Sequence, residues 1–213
     1  MKTILFQGDS ITDAERSRTS VNVPGTGYAA LVSAELGLDF PGEYKFVNKG
    51  ISGNRVIDLY ARNVMDIFYI KPDYMSILIG VNDIWHGLDW NNGTGIKRYE
   101  KCYDMLLSEI AEELPDTKVM ILEPFILRGT NTDNTESDPN RWEKFSSGVY
   151  EVAAIAKKLS QKYNLKFVSL QEKFNKACEK ATPDYWLSDG VHPTAKGHEL
   201  IKREWLKAFN EIK

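Results

Sequence analysis

Tyr74-Met75-Ser76-Ile77-Leu78-Ile79-Gly80-Val81-Asn82-Asp83 is the stretch whose reading decides the fold of this chain. A nearly unbroken apolar run stops at a glycine and gives way to polar residues. Such a run, bounded by turn residues, reads as a central strand covered on both faces, as in a parallel sheet. Lys118 to Leu122 repeats the pattern, and Thr3 to Phe6, Lys45 to Val47 and Lys166 to Leu170 supply three more strand readings. Helical patterns lie between or after them. Tyr99, Tyr103, Leu106, Ile110 and Leu114 recur at three or four residues; so do Trp142, Phe145, Val149, Val152, Ala156 and Leu159; Leu200, Ile201, Trp205 and Phe209 close the chain. Each is an apolar stripe suited to packing on a sheet. Alternating strands and amphipathic helices imply βαβ units with right-handed crossovers, and hence a three-layer α/β/α sandwich.

The chain of 213 residues shows no linker, repeat or low-complexity tract, so one domain over residues 1–213 is expected. With 42% hydrophobic and 27% charged residues it is an ordinary globular composition rather than a disordered one. Lys and Arg total 27 against 30 Asp and Glu, a net charge of −3, which argues against a strongly electrostatic nucleic-acid or membrane-surface partner. Cys102 and Cys178 are too far apart in sequence to suggest a ligand cluster or a disulfide framework. No apolar stretch reaches the length of a membrane span, and Met1 to Asp9 lacks the pattern of a signal peptide, so a cytoplasmic location is expected.

Four segments offer chemistry. Gly8-Asp9-Ser10 follows the first strand, which places Ser10 at that strand's carboxyl end. A serine hydroxyl is a poor nucleophile until a base takes its proton. Asp189-Gly190-Val191-His192-Pro193 puts a carboxylate and an imidazole three residues apart, close enough for Asp189 to accept the Nδ1 hydrogen and leave Nε2 as a base. Pro193 suits the first turn of the closing helix. Asn82, after the strongest strand, could donate its amide to a developing oxyanion, and Gly53 in Asn48-Lys49-Gly50-Ile51-Ser52-Gly53-Asn54 could add a backbone N–H. Taken singly, each segment is also a common turn composition. Taken together, they converge on one edge of the sheet, where ligands bind in open α/β folds.

With these blocks in place the chain resembles the SGNH/GDSL hydrolase superfamily, which carries its serine near the N-terminus and its Asp-x-x-His near the C-terminus. The resemblance implies Ser10 as nucleophile, His192 as general base and acid, and Asp189 as its orienting partner. It implies an oxyanion hole formed by the N–H groups of Ser10 and Gly53 and the amide of Asn82. It also implies a flavodoxin-like sheet of five parallel strands, and no metal or cofactor. The first block reads Gly-Asp-Ser-Ile where the family has Gly-Asp-Ser-Leu, a conservative departure. Asn48 to Asn54, Ile79-Gly80-Val81-Asn82-Asp83-Ile84-Trp85 and Gly25-Thr26-Gly27-Tyr28 resemble bacterial intracellular acetylxylan esterases of this superfamily. That narrower resemblance implies acetylated xylo-oligosaccharides as substrate and a homo-oligomer.

Trp85 and Trp186 lie three residues from Asn82 and Asp189, where they could stack on sugar or simply join the core; Arg55 could bind substrate or form a salt bridge. His86 reads as a surface residue and His198 as a structural one. Gly87 to Gly95 reads as a loop. Gly129 to Asn140 reads as a polar loop that could overhang the site or be merely solvated. Gly25-Thr26-Gly27-Tyr28-Ala29-Ala30 fits a loose dinucleotide fingerprint but lacks a preceding strand, and no G-x-S-x-G elbow surrounds Ser10. Three rivals remain: a thioesterase or lysophospholipase on the same framework, a glycosidase using Asp9 and Asp189, and a noncatalytic carbohydrate-binding domain.

Overall fold

A computed structural model describes residues 1–213. In chain order the elements are β1 (Lys2–Gly8), α1 (Ser10–Asp13), α2 (Tyr28–Asp39), β2 (Tyr44–Asn48), α3 (Val56–Ala61), a π-helical turn (Val64–Phe68), β3 (Tyr74–Leu78), α4 (Val81–Trp90) and α5 (Ile96–Glu113). They continue with β4 (Lys118–Leu122), α6 (Arg141–Lys162), β5 (Lys166–Val168), α7 (Gln171–Ala177), α8 (Pro183–Trp186) and α9 (Ala195–Ile212). The five strands form one all-parallel sheet in the order β2-β1-β3-β4-β5, the flavodoxin-like order.

Successive residues of a strand face opposite sides, and the sheet accordingly divides its side chains between two apolar layers. Ile4, Phe6, Leu78, Met120 and Leu122 pack with α2, α7 and α9. Leu5, Met75, Ile77, Val119 and Ile121 pack with α3, α5 and the second half of α6. Both layers being covered explains why β3 and β4 read as continuous apolar runs rather than alternating ones. Trp205, fully buried, stacks on Phe209 at 5.0 Å and meets Phe6 at 5.5 Å, tying α9 to β1.

Strands β1 and β2 run a residue or two beyond the stretches read from the sequence, and two other boundaries differ for reasons visible in the fold. Strand β5 ends at Val168, because Ser169, Leu170 and Gln171 turn to donate to Glu123 Oε2. The expected loop from Gly87 is helical as far as Trp90, and the chain leaves the helix only at Asn91, which is left-handed at φ 53°. Gly87 is a contact glycine rather than a turn glycine: Gly93 folds back on it, and a Cβ at position 93 would come within 2.7 Å of Gly87 Cα.

The strand order reverses between β1 and β3. The segments leaving these two strands, Asp9-Ser10 and Gly80 to Asp83, therefore diverge and open a crevice at the carboxyl edge, the usual ligand position in such sheets.

Candidate active site

Ser10 opens α1 directly after β1. Asp9 caps this short helix, its Oδ1 accepting the Ile11 N–H at 3.0 Å. The Ser10 hydroxyl lies 3.0 Å from His192 Nε2, and His192 Nδ1 lies 2.7 Å from Asp189 Oδ2. An ionised carboxylate can only accept, so Nδ1 carries the proton and Nε2 presents its lone pair to the serine.

The loop holding this pair is closed on itself. Leu187 and Pro193 form an antiparallel bridge, and Ser188 N–H donates to the His192 carbonyl at 2.9 Å. Asp189 Oδ1 accepts from the Val191 and His192 N–H groups at 2.9 and 2.7 Å. Thr194, not Pro193, caps α9, so the proline lies just before the helix. Burial works to raise the Asp189 carboxyl, but its bonds from the His192 ring and from the His192 and Val191 N–H groups prevail and hold it well below the usual carboxylate range. The same hydrogen bond raises His192 above its ordinary value against the opposing effect of burial.

On the other side of Ser10, Gly53 occupies φ +80°, and neither its N–H nor that of Ser10 makes a hydrogen bond within the chain. The buried Asn82 side chain spends one amide hydrogen on the Asn54 carbonyl at 3.1 Å and keeps the other. Together these groups are the donors an oxyanion needs. Asp83 secures this wall by accepting the Val56 N–H at 3.1 Å with each oxygen, and burial pushes its carboxyl up to about 7.

Two residues without any local sequence signal hold the halves in place. Arg62 donates to the Gly8 carbonyl at 3.3 Å, the Lys49 carbonyl at 2.9 Å and Asn54 Oδ1 at 2.8 Å, and pairs with Asp66 at 2.5 Å. It thereby joins the exit of β1 to the segment that carries Gly53. Asn131 donates its amide to Asp189 Oδ2 at 2.8 Å, and its own N–H to the Asp189 carbonyl at 3.0 Å. The polar segment of residues 129–140 is thus a clamp on the Asp189 loop. Gly129 lies so close that a Cβ there would collide with the Asp189–Gly190 backbone. Arg141 reinforces the clamp by donating to the Asn131 carbonyl at 2.8 Å and to Asp89 at 2.6 Å.

Of the residues expected at a substrate surface, Trp85 is at the site: its ring lies 5.8 Å from that of His192, and its indole donates to Asp89 at 2.6 Å. Trp186 is directed elsewhere. Its indole donates to the Ala177 carbonyl, and it lines a different cavity with Lys173, Lys176, Tyr185 and Leu200, to which neither Ser10 nor His192 contributes. Arg55 takes its salt-bridge option, meeting Asp58 at 3.0 Å and donating to the Asn92 carbonyl at 2.6 Å. His86 is half-buried beside Gly53: a Cβ on that glycine would lie 4.0 Å from His86 Cε1. His198 is structural, its buried Nδ1 accepting the Tyr28 N–H at 3.1 Å, and burial together with the nearby His192 lowers it to about 4. The Asp9–Asp189 glycosidase pairing has no geometric basis. Asp9 is 1% exposed and burial pushes it up to about 7, while Asp189 is committed to His192 and Asn131. No group of three His, Cys, Asp or Glu side chains is placed to hold a metal, and no helix is long and apolar enough to cross a membrane.

Comparison with known proteins points the same way as the geometry. The model of the GDSL-like lipase/acylhydrolase family matches residues 6–200. An acetylxylan esterase of Geobacillus stearothermophilus is 36% identical over 211 residues, covering 96% of this chain and 92% of that protein. The crystal structure of that organism's acetylxylan esterase superposes with a TM-score of 0.83 at 31% identity, over 97% of this chain and 93% of that one. Two further structures of it are described as catalytic mutants, one at a serine and one at an aspartate. A putative GDSL-like lipase from Parabacteroides merdae superposes with a TM-score of 0.89 at 37% identity, covering 98% of this chain and 95% of that chain.

Proposed function

Since the chain belongs to the GDSL-like lipase/acylhydrolase family, we propose that it is a serine esterase that removes acetyl groups from xylo-oligosaccharides. The observation that carries the reading is the relay from Asp189 through His192 to the Ser10 hydroxyl, at 2.7 and 3.0 Å, opposite three unspent N–H donors. Ser10 attacks the acetyl carbonyl as His192 Nε2 takes its proton. The carbonyl oxygen becomes an oxyanion against the N–H groups of Ser10 and Gly53 and the free amide hydrogen of Asn82. His192 then protonates the departing sugar oxygen. A water, deprotonated by His192, attacks the acetyl-enzyme; acetate leaves and Ser10 recovers its proton. Asp189 stabilises the imidazolium formed on each half of the cycle and keeps the proton on Nδ1. The acetyl and xylo-oligosaccharide assignment is supported by the 36% identical acetylxylan esterase and by the blocks around Asn48 and Ile79.

The test is a series of p-nitrophenyl esters from acetate to octanoate, followed by acetate release from acetylated xylo-oligosaccharides. A short acyl pocket excludes extra methylenes by overpacking, whereas an acyl channel gains about 0.8 kcal/mol for each one buried. The expected result is kcat/KM falling with chain length and acetate appearing from the sugars. A rise towards octanoate with no acetate from the sugars would replace this reading with a thioesterase or lysophospholipase.

A further inference from the structure

Of the five tryptophans, Trp90 alone is mostly exposed, at 60%; Trp205 is fully buried and Trp85, Trp142 and Trp186 are half-buried. A tryptophan left in water forgoes the burial that usually justifies so large an apolar side chain. Its position makes the exposure informative. Helix α4 is one wall of the site: Asn82 supplies the oxyanion donor, Trp85 lies against the His192 ring, and His86 adjoins Gly53. Asn82, His86 and Trp90 are four residues apart in succession and share one face. At the helical rise, Trp90 lies about 12 Å along the axis from Asn82. The wall that begins at the reacting carbonyl therefore ends in an exposed aromatic ring.

That ring is held by a built turn. The His86 ring meets it edge to face, with centroids 4.8 Å apart at 82°. Behind it, Asn92 N–H donates to the His86 carbonyl at 2.8 Å, Thr94 N–H to the Asp83 carbonyl at 3.1 Å, and Arg55 to the Asn92 carbonyl at 2.6 Å. The charges along the wall are paired internally: Arg55 with Asp58, and Asp89 with Arg141 at 2.6 Å and the Trp85 indole at 2.6 Å. Arg55 and Asp89 are thus occupied within the protein. The surface suits a neutral ligand with an apolar face and a polar rim, the description of a pyranose ring. The electron-rich face of the indole attracts the weakly positive C–H groups of that face.

We propose that Trp90 is the platform of a sugar-binding subsite, on which a xylosyl ring remote from the acetylated one stacks. The inference rests on the xylo-oligosaccharide reading of the same site. The leaving sugar begins at the oxygen that His192 protonates and follows the Asn82–His86–Trp90 face of α4 to Trp90. Arg55 serves the subsite indirectly, by pinning the turn behind the ring.

The direct test uses xylotriose, which carries no ester and so reports binding without turnover. Isothermal titration of the wild type, Trp90→Ala and Trp90→Phe should show binding by the wild type, about tenfold weaker binding by Trp90→Ala and an intermediate value for Trp90→Phe. On acetylated xylo-oligosaccharides, Trp90→Ala should raise KM by a similar factor with kcat little changed, while p-nitrophenyl acetate turnover stays at the wild-type level. Equal xylotriose affinity in wild type and Trp90→Ala overturns the subsite, as does the absence of binding to the wild type. An equal loss on p-nitrophenyl acetate overturns it too, by making Trp90 part of the common machinery. Xylotriose binding through Trp90 without acetate release from the acetylated sugars leaves the subsite standing and refutes the esterase substrate instead.

Discussion

The half of the site around Ser10 is made of backbone leaving the sheet, whereas the half around His192 is a surface loop held by side chains. On the first side, Asp9, Asn82 and Asp83 are buried, and Arg62 ties the Gly8 and Lys49 carbonyls together from beneath. On the second, the His192 side chain is 40% exposed, and its loop is fixed by Asn131 and Arg141 from a segment about sixty residues away in sequence. The difference follows the chemistry. Oxyanion donors act by being already in place, so they belong on the least deformable part of the fold. A base must exchange protons with a leaving group and with water, so it needs access, and its precision comes from hydrogen bonds instead.

If the division is right, the largest effect belongs to the buried half. Ser10→Ala should lower kcat by several orders of magnitude with the melting temperature and circular dichroism spectrum unchanged. Near wild-type turnover by the folded variant would remove the serine mechanism. Next in size, Asn82→Ala should cost roughly 10²–10³ in kcat, with KM affected much less. An unchanged kcat with a raised KM would make Asn82 a ground-state contact and erase the contrast between the halves.

The exposed half should respond more mildly and through pH. His192 must be neutral to accept the serine proton, and Asp189 raises it, so kcat/KM should fall as the pH drops through a value above 6.5. Asn131→Ala removes one donor from Asp189 and leaves more of its charge facing His192. The acidic limb should move to higher pH, and kcat at its plateau should fall about tenfold. A limb that does not move would show that the clamp contributes only stability.

The smallest expected effect on catalysis, yet a clear one on stability, belongs to His198, which links α9 behind His192 to the start of α2. Its folded-state value of about 4 lies below the ordinary 6.5, so the unfolded chain binds the proton more readily. Its contribution is present above pH 6.5 and is lost as the pH falls towards 4, by about 3 kcal/mol in all. Because Asp9 and Asp83, raised to about 7, titrate in the opposite sense over the same window, the test is the difference between proteins: denaturant midpoints of the wild type should fall relative to those of His198→Gln as the pH drops from 6.5 towards 4. An identical pH profile in the variant would exclude this histidine as the cause.

The blocks of the candidate site could be read locally because each is a short chain segment whose residue types are demanded by one turn: Gly8 to Ser10 at a strand exit, Asp189 to His192 within a single loop. Helix α2 escaped the periodicity reading because Tyr28 to Asp39 carries apolar residues around its circumference, with Leu38 80% exposed. Trp90 was hidden for a related reason. Glycines at 87, 93 and 95 look like loop punctuation, and only the fold shows that Gly93 packs onto Gly87.

The sequence by itself determined the alternation of strands and helices, the apolar character of β3 and β4, and the residue types of the proposed nucleophile, base and oxyanion donors. These depend on side-chain periodicity and on turns within a few residues. Only the tertiary structure decided that Asn131 steadies Asp189, that Arg62 bridges β1 to the Gly53 segment, that Trp186 is directed away from the triad, and that Trp90 ends the wall of the site. Those are hydrogen bonds and exposures set between segments tens of residues apart. Local residue patterns do not encode such distances; the packing of helices on both faces of the sheet creates them.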